Sequence, residues 1–433
     1  MDTCCTEYAR LDRRTFLTRT LQSAAGLIFG NSLVALPRWM PRITLADPHV
    51  GPCGDTLVCL FLRGGADGLN MVVPHGDEGY YTHRPTLGIA RPDDSHTEAK
   101  TIDLDGFFGL HPAMSPLKPI YDGGQMLFVQ ATGSPDESRS HFEAMDLMER
   151  GAEGGEYSGW LARHLATLDT GNQSALRAIA IGDMLQASLT GTVSATALQS
   201  IADYHLSGRD ERVGQMQTIL HTLYNQNQDL LTNTANQTFA AMEVLSKLDL
   251  TGYVPAGQPY PEDELGMGLK TIAQLIKADV GIEVACVDLG GWDTHFAQGG
   301  ATGLMANNIG QLANSLAAFH ADLQNNMGQV TVVVMSEFGR RLQENGSLGT
   351  DHGHGNMMMV MGGGLNGRQV FSRWPGLQPE QLVGPGDLAV TTDYRDILGE
   401  IIRKRLNNPN LADIFPAYTV HENGLFLPRA TSF

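Results

Sequence analysis

Short apolar segments alternate with longer amphipathic ones along most of this chain. Three segments with helical spacing of apolar residues predict helices at 208–248, 265–278 and 303–326. Six apolar segments of strand length are candidates for buried strands, at 56–62, 125–130, 176–182, 282–291, 329–339 and 356–364. Because strands that alternate with helices form parallel sheets covered on both faces, the pattern predicts an α/β fold with a mostly parallel sheet.

The first 46 residues have a different pattern. Arg13 and Arg14 precede a moderately apolar run, "TFLTRTLQSAAGLIFGNSLVAL", which is typical of a twin-arginine export signal. An ordinary amphipathic first helix is the alternative. We therefore predict a signal and linker over 1–46, export by the twin-arginine machinery to the periplasm or beyond, and one α/β domain over 47–433 with a helical insertion around 200–260.

Composition narrows the function classes. The chain has 433 residues, of which 42% are hydrophobic and 18% charged, so it can bury a sizeable core. Its formal net charge of -18 argues against nucleic acid as a partner, because phosphate binding needs a basic face. After the signal, no segment is long and apolar enough to predict a membrane span.

Carboxylate, histidine and serine side chains concentrate next to the predicted strands. In chain order they are Asp67 after the first strand, Ser138, Ser140 and His141 after the second, Asp293 and His295 after the fourth, Glu337 at the end of the fifth, and Asp351, His352 and His354 in the loop "GTDHGHGN" before the sixth. Since the carboxyl ends of parallel strands meet at one edge of a sheet, we expect these side chains to lie together there.

Carboxylates and imidazoles together are ligands of Zn²⁺, Mn²⁺ or Fe. Two such ions about 4 Å apart would hold the attacking and leaving oxygens of a phosphoryl or sulfuryl transfer. Ser140 or Ser138, at the start of a predicted helix, is the candidate nucleophile. The serines are equally consistent with a helix N-cap and Asp67 with a turn residue.

Three arginines, Arg63, Arg139 and Arg340, lie beside these clusters in the sequence. They are candidates for bidentate binding of an anionic substrate. Surface ion pairs are the equal alternative, and Glu337 is a candidate partner for Arg340 or Arg341.

Seven motifs resemble one exported family. "FLRGGADGLNMVVP", "FGLHPAM", "SRSHFEAMD", "GWLARHL", "GGWDTHFAQ", "SEFGR" and "TDHGHGN" followed by "GGG" run from about residue 57 to 370 and look like the family called domain of unknown function 1501. That family is grouped with the alkaline phosphatase and sulfatase superfamily. The resemblance implies a three-layer α/β/α sandwich and a two-metal centre, and it brings no established activity.

The resemblance also implies roles for individual residues. Asp67 resembles the first-strand metal aspartate of the superfamily, and Ser140, or else Ser138, resembles its nucleophile. Asp293 and His295 resemble an aspartate and histidine on a later loop, and His352 or His354 resembles the final metal histidine. The superfamily's further Asp-His pair has two possible matches, at Glu337 or at the later Asp351–His352.

Together these observations predict an exported hydrolase that uses one or two divalent ions, Zn, Mn or similar, on an anionic phosphate or sulfate ester. The alternative is a non-catalytic exported binding protein that keeps the fold and one metal. An oxidoreductase is disfavoured, because no G-x-G-x-x-G follows a strand and no C-x-x-C occurs.

Overall fold

The computed structural model describes residues 55–429, except 183, 192–194, 200–215, 217, 221, 225–229, 247 and 249–251. The predicted export signal lies outside the described residues, and so does much of the predicted 200–260 insertion. Among the described residues, no helix has the length and apolar content needed to cross a membrane.

The strands match the predicted apolar segments and add several short ones. They are β1 (Thr56–Leu62), β2 (Val72–Val73), β3 (Ile102–Asp103), β4 (Gly109–Leu110), β5 (Met126–Gly133), β6 (Ala178–Ile181), β7 (Thr196–Leu198), β8 (Val284–Leu289), β9 (Val330–Ser336), β10 (Arg340–Glu344), β11 (Thr350–His352), β12 (Asn356–Gly362), β13 (Val370–Phe371) and β14 (Thr392–Asp393).

The helices lie mostly between these strands. The α-helices are α1 (Gly68–Met71), α2 (Glu78–His83), α3 (Lys118–Asp122), α4 (His141–Arg150), α5 (Trp160–Thr167), α6 (Leu230–Ser246), α7 (Glu264–Lys277), α8 (Leu304–Leu323), α9 (Tyr394–Lys404) and α10 (Leu411–Ile414). Short 3₁₀ helices cover Pro112–Leu117, Ala187–Leu189, Gln324–Gln329 and Pro379–Gln381.

Nine of the described strands form the central sheet, in the order β13-β5-β12-β9-β1-β8-β6-β7, with β14 also paired to β5. The central strand β1 is buried along its whole length and pairs in parallel with β8 and β9. A strand covered on both faces needs apolar side chains at successive positions, which is why "TLVCLFL" shows no polar alternation.

Apolar side chains leave β1 alternately on two faces and enter two separate cores. Val58 and Leu60 pack in the core that contains α7 and α8. Leu57 and Cys59 pack in the core that contains α4, α5 and α9. Helices therefore cover both faces of the sheet, and the predicted three-layer α/β/α sandwich with a mostly parallel sheet is confirmed.

One strand, β12, runs against the others. It pairs antiparallel with both β9 and β5, so its first residues lie at the edge where the parallel strands end. The segment before it was expected to be a loop. Instead its first part, Thr350–His352, is strand β11, paired antiparallel with β10. This hairpin fixes the position of His352 at the carboxyl edge of the sheet.

Candidate metal centre

The central strands bring three candidate segments to one edge of the sheet. The loop after β1 carries Gly64, the loop after β8 carries Asp293, and β9 leads directly into Glu337. Gly64 has a φ of +121°, and a Cβ there would lie 2.7 Å from the backbone nitrogen of Asp293. Glycine is required at this position because a side chain would strain the backbone and separate the two loops. The Gly64 amide donates instead to Glu337 Oε1, at 2.8 Å.

The β10–β11 hairpin closes over the loop that carries His295. A Cβ on Gly349 would lie 2.4 Å from the backbone carbonyl of His295, so the two segments touch through their main chains. Asn345 Nδ2 donates to the His295 carbonyl and to Asp351 Oδ1, both at 3.0 Å. The hairpin thereby holds His295, Asp351 and His352 side by side.

Three imidazoles converge on Asp293. Asp293 Oδ1 lies 3.0 Å from His295 Nε2 and 3.2 Å from His352 Nε2. Asp293 Oδ2 lies 3.6 Å from Nε2 of His141, the first residue of α4. The two Nε2 atoms of His295 and His352 are 2.8 Å apart. We call these four residues the Asp293 cluster.

The other ring nitrogen of each histidine is held by an oxygen. His141 Nδ1 lies 2.7 Å from Glu337 Oε1, and His295 Nδ1 lies 3.3 Å from Asp351 Oδ1. His352 Nδ1 lies 2.9 Å from the backbone carbonyl of Arg139. Because these oxygens accept hydrogen bonds, each Nδ1 carries a proton, which leaves each Nε2 lone pair available to a bound metal ion.

This arrangement fits a metal ion by two criteria. Ligand atoms placed tetrahedrally around Zn²⁺ at its usual bond lengths lie about 3.3 Å from one another. Four of the separations here are 2.8, 3.0, 3.2 and 3.6 Å, and one ligand atom each of His141, Asp293 and His352 lies within 4.8 Å of the other two. In addition, the Nε2 atoms of His295 and His352 face each other at 2.8 Å. Two lone pairs at this distance repel each other unless a proton or a metal ion lies between them. The cluster is open to solvent, since the Asp293 side chain is 47% exposed.

The electrostatics of the cluster favour bound positive charge. Burial alone would raise the pKa of Asp293, but interactions with the three histidines and Arg340 lower it below its usual range. Burial lowers the pKa of His141, yet the carboxylates of Asp293 and Glu337 outweigh this and raise it to about 9. Burial also lowers the pKa of His352, which Asp293 compensates only in part. Without a metal, His141 therefore carries a second proton, on Nε2, near neutral pH, whereas burial favours the neutral form of His352.

Arg340 is a buried anchor for the cluster. Its Nε donates to the Gly65 carbonyl at 2.6 Å, its Nη1 to the Thr350 carbonyl at 2.9 Å, and its Nη2 to Asp293 Oδ1 at 2.7 Å. Its side chain is completely buried. The guanidinium expected to bind substrate thus has protein partners and sets the orientation of Asp293.

Asp67 has different partners from the Asp293 cluster. Its Oδ2 accepts hydrogen bonds from Arg84 Nη1 at 2.6 Å and from Gln298 Nε2 at 2.7 Å. Both side chains of the Asp67–Arg84 ion pair are completely buried. The sequence pattern expected a metal ligand here, whereas the carboxylate already has a counter-ion.

Two further candidates also have protein partners outside the cluster. His354 Nε2 lies 2.8 Å from the Ser134 carbonyl. Arg63 donates to both carboxylate oxygens of Glu149, at 2.9 and 3.0 Å, and to Asp288 at 3.0 Å. Of the histidine pair in "DHGH", only His352 joins the Asp293 cluster, because the side chains two residues apart bond to different segments.

The two candidate serines differ in their surroundings. Ser138 Oγ donates to Glu143 Oε2 at 2.6 Å. Ser140 is the N-cap residue of α4 and is exposed, and among the described residues its hydroxyl has no hydrogen-bond partner. Ser140 also directly precedes His141 of the cluster. Of the two serines, it is therefore the better candidate for the nucleophile.

Sequence reasoning placed His141 after the second strand but gave it no role as a ligand. The signal available was its adjacency to Ser140 at a helix start, in the motif "SRSHFEAMD". Arg341 was likewise noted only as an ion-pair partner. Its Nη1 lies 3.7 Å from Oδ2 of Asp351, the residue whose Oδ1 faces His295 Nδ1.

Comparisons with known proteins add a family and remote structural neighbours. The model of the family described as "Protein of unknown function (DUF1501)" matches residues 55–399. No curated protein sequence matches the chain.

Three solved structures illustrate the neighbours. The PsFucS1 sulfatase from Pseudoalteromonas sp. is 10% identical, with 86% of this chain and 73% of that chain covered and a TM-score of 0.36. The lipoteichoic acid synthase LtaP from Listeria monocytogenes is 7% identical, with 79% and 75% covered and a TM-score of 0.34. The alkaline phosphatase from the Antarctic bacterium TAB5 is 9% identical, with 74% and 95% covered and a TM-score of 0.28. Likenesses this remote assign no activity to the present chain.

Proposed function

The chain belongs to the DUF1501 family of proteins of unknown function, and from that premise we propose that it is an exported, metal-dependent hydrolase of an anionic sulfate or phosphate ester. The observation that carries the proposal is the convergence of three imidazole Nε2 atoms on one exposed carboxylate, each imidazole held at Nδ1 by an oxygen. Histidines that bind metal are oriented in this way by acceptors behind the ring.

We assign the ligands of one divalent ion, Zn²⁺, Mn²⁺ or a similar metal, to His141, Asp293, His295 and His352. Glu337 and Asp351 then hold ligands and are not ligands themselves, because each faces an Nδ1 atom. A divalent ion bound here would polarise the non-bridging oxygens of the ester.

We assign the nucleophile to Ser140. Its hydroxyl is exposed at the amino end of α4, where the helix dipole favours developing negative charge. Attack of Ser140 Oγ on the sulfur or phosphorus would release the alcohol and leave a seryl ester for water to hydrolyse. Ser138 is less suitable, because its hydroxyl is engaged by Glu143.

Export is the second part of the proposal. It rests on the Arg13–Arg14 pattern of the sequence, which supports the twin-arginine machinery as the export partner. That pathway suits a protein whose metal is inserted before transport.

The test compares two histidines that lie two residues apart. Wild type, His352→Ala and His354→Ala would be purified from the periplasm and analysed for metal. We expect about one ion per chain in the wild type and in His354→Ala, and none in His352→Ala, because His354 bonds to Ser134 and not to the cluster. Metal-loaded protein would then be assayed with sulfate and phosphate esters.

The outcomes separate the two candidate functions. Ester hydrolysis that is lost in His352→Ala and in Ser140→Ala supports the hydrolase. Metal binding without turnover of any ester favours the alternative, a non-catalytic exported binding protein that keeps one metal. Folded wild type that takes up neither Zn²⁺ nor Mn²⁺ contradicts the metal centre itself.

A further inference from the structure

Four arginines lie near the Asp293 cluster, and their contacts divide them into two pairs. Arg63 is neutralised by Glu149 and Asp288, and Arg340 is completely buried with all of its guanidinium nitrogens donating. The side chains of Arg139 and Arg341 remain 32% and 34% exposed. A guanidinium that binds substrate must keep donors free toward solvent, so these two are the better candidates.

Arg139 and Arg341 share one buried carboxylate. Arg139 donates to Asp387 Oδ2 through both Nε, at 3.2 Å, and Nη2. Arg341 Nε lies 3.9 Å from Asp387 Oδ1, which is beyond hydrogen-bond distance, and among the described residues neither of these two atoms has a hydrogen-bond partner. Arg341 Nη1 lies 3.7 Å from Asp351 Oδ2. We call Arg139, Arg341, Asp351 and Asp387 the rim cluster.

The rim cluster is joined to the candidate metal ligands at two points. The backbone carbonyl of Arg139 accepts from His352 Nδ1, and the Asp351 carboxylate accepts from His295 Nδ1. Arg139 is therefore joined to His352 by its own backbone, and Arg341 is joined to His295 through its ion pair with Asp351.

The charges of the rim cluster balance. Two guanidiniums face two carboxylates, so the rim supplies several donors but no surplus positive charge. A monoanion can use these donors at little electrostatic cost. A dianion would place its second charge near Asp351 and Asp387, and like charges at such distances repel.

We propose that Arg139 and Arg341 bind the non-bridging oxygens of a monoanionic tetrahedral ester, a sulfate monoester or a phosphate diester, in preference to a dianionic phosphate monoester. This rests on the proposed hydrolase function for its chemical context. The preference for a monoanion over a dianion arises from the rim cluster, and it can be measured as a difference in binding affinity.

The test uses probes that differ in charge and variants that differ in one group. Calorimetry on the metal-loaded protein would compare dimethyl phosphate, a monoanion, with methyl phosphate, a dianion at pH 8. The variants are Arg341→Gln and, as a matched control, Arg368→Gln, which removes the same charge from an exposed residue beside the first residue of β5, at the opposite edge of the sheet. Asp387→Asn is the third variant and adds one net positive charge to the rim.

We expect the wild type to bind dimethyl phosphate more tightly than methyl phosphate. Arg341→Gln should weaken binding of dimethyl phosphate about tenfold, the size expected for one charged hydrogen bond, with unchanged metal content. Arg368→Gln should match the wild type. Folded Asp387→Asn should shift the preference toward methyl phosphate. If Asp387→Asn does not fold, the result for Arg341→Gln decides alone.

Hydrolysis separates failure of this inference from failure of the proposed function. Rates would be compared for 4-nitrophenyl sulfate, bis(4-nitrophenyl) phosphate and 4-nitrophenyl phosphate, and the first two distinguish the sulfate from the diester source. Tighter binding or faster hydrolysis of the dianion, or identical behaviour of Arg341→Gln and Arg368→Gln, overturns the inference and leaves the hydrolase intact. Absence of turnover for all three esters contradicts the hydrolase, while the binding data still decide the role of the rim cluster.

Discussion

Asp67 and Asp293 follow neighbouring strands of one sheet, yet their surroundings are opposite. Asp67 is completely buried and paired with an equally buried arginine, Arg84. Asp293 is half-exposed and faces the Nε2 atoms of three imidazoles. A buried carboxylate that already has a counter-ion is costly to disturb, whereas one surrounded by imidazoles is, in our proposal, a metal ligand. Both aspartates follow a strand, so it is the side chains around each carboxylate that distinguish a structural role from a candidate ligand role.

The largest effect should come from breaking the buried pair. Arg84→Met leaves the Asp67 carboxylate buried without its cation and removes donors to Asn70 and to the Leu342 carbonyl. We expect the free energy of unfolding to fall by about 3–5 kcal/mol, measured by chemical denaturation. The metal content per folded chain should not change.

A double variant and a milder one check this result. Arg84→Met combined with Asp67→Leu removes both charges and should recover part of the lost stability. Asp67→Asn should keep the metal. If Asp67→Asn folds and loses the ion, then Asp67 is a ligand and the contrast with Asp293 is wrong.

The next effect concerns Asp293 itself. Asp293→Asn should lower metal affinity by at least about 100-fold, above the range typical of groups that only orient a ligand. The unfolding free energy of the metal-free protein should change much less than in Arg84→Met, because Arg340 keeps its backbone acceptors.

Asp288→Asn is the matched control for Asp293→Asn. Asp288 lies in β8, five residues before Asp293, and pairs with Arg63. Competition with a chelator of known affinity would give both metal dissociation constants. Equal affinities in the two variants would remove Asp293 from the ligand set.

A smaller loss of metal affinity is expected when a residue that orients a proposed ligand is changed. Glu337→Gln keeps an oxygen near His141 Nδ1 but loses the negative charge that favours the metal-bound imidazole. Metal affinity should fall about 10–100-fold, within the range for such orienting groups. The exposed Glu380→Gln should have no effect. A loss as large as that of Asp293→Asn would make Glu337 a direct ligand, as one of the two sequence alignments has it.

Much of the fold follows from sequence pattern, because burial on both faces of a sheet demands uninterrupted apolar runs. The run "TLVCLFL" is β1 to the residue, and "LGMGLKTIAQLIKA" is helix α7 to within one residue. The direction of a strand, by contrast, does not follow from its apolar pattern. "NMMMVMG" is apolar in either direction, so only its contacts with β9 and β5 reveal that β12 is antiparallel.

Sequence position predicted where the candidate residues gather, but not which of them contact one another. Position after a strand placed Asp67, Asp293 and Glu337 at one edge. It carries no information on which cation each carboxylate meets, such as Arg84 for Asp67. The same limit applies to His352 and His354, whose neighbouring positions give no sign that one bonds to the Ser134 carbonyl.

The smallest effect extends the comparison to a third carboxylate, Asp322. Burial would raise its pKa, but Lys277, Tyr253 and Tyr260 donate to it and lower the pKa below its usual value. A depressed folded-state pKa stabilises the protein above the unfolded-state value, and that contribution is lost as the pH falls through the folded-state pKa. Asp322→Asn should therefore be less stable than the wild type at pH 7, and the difference should shrink toward pH 3. A difference that is constant with pH would show that packing, and not the charge of a carboxylate with its own donors, stabilises this region.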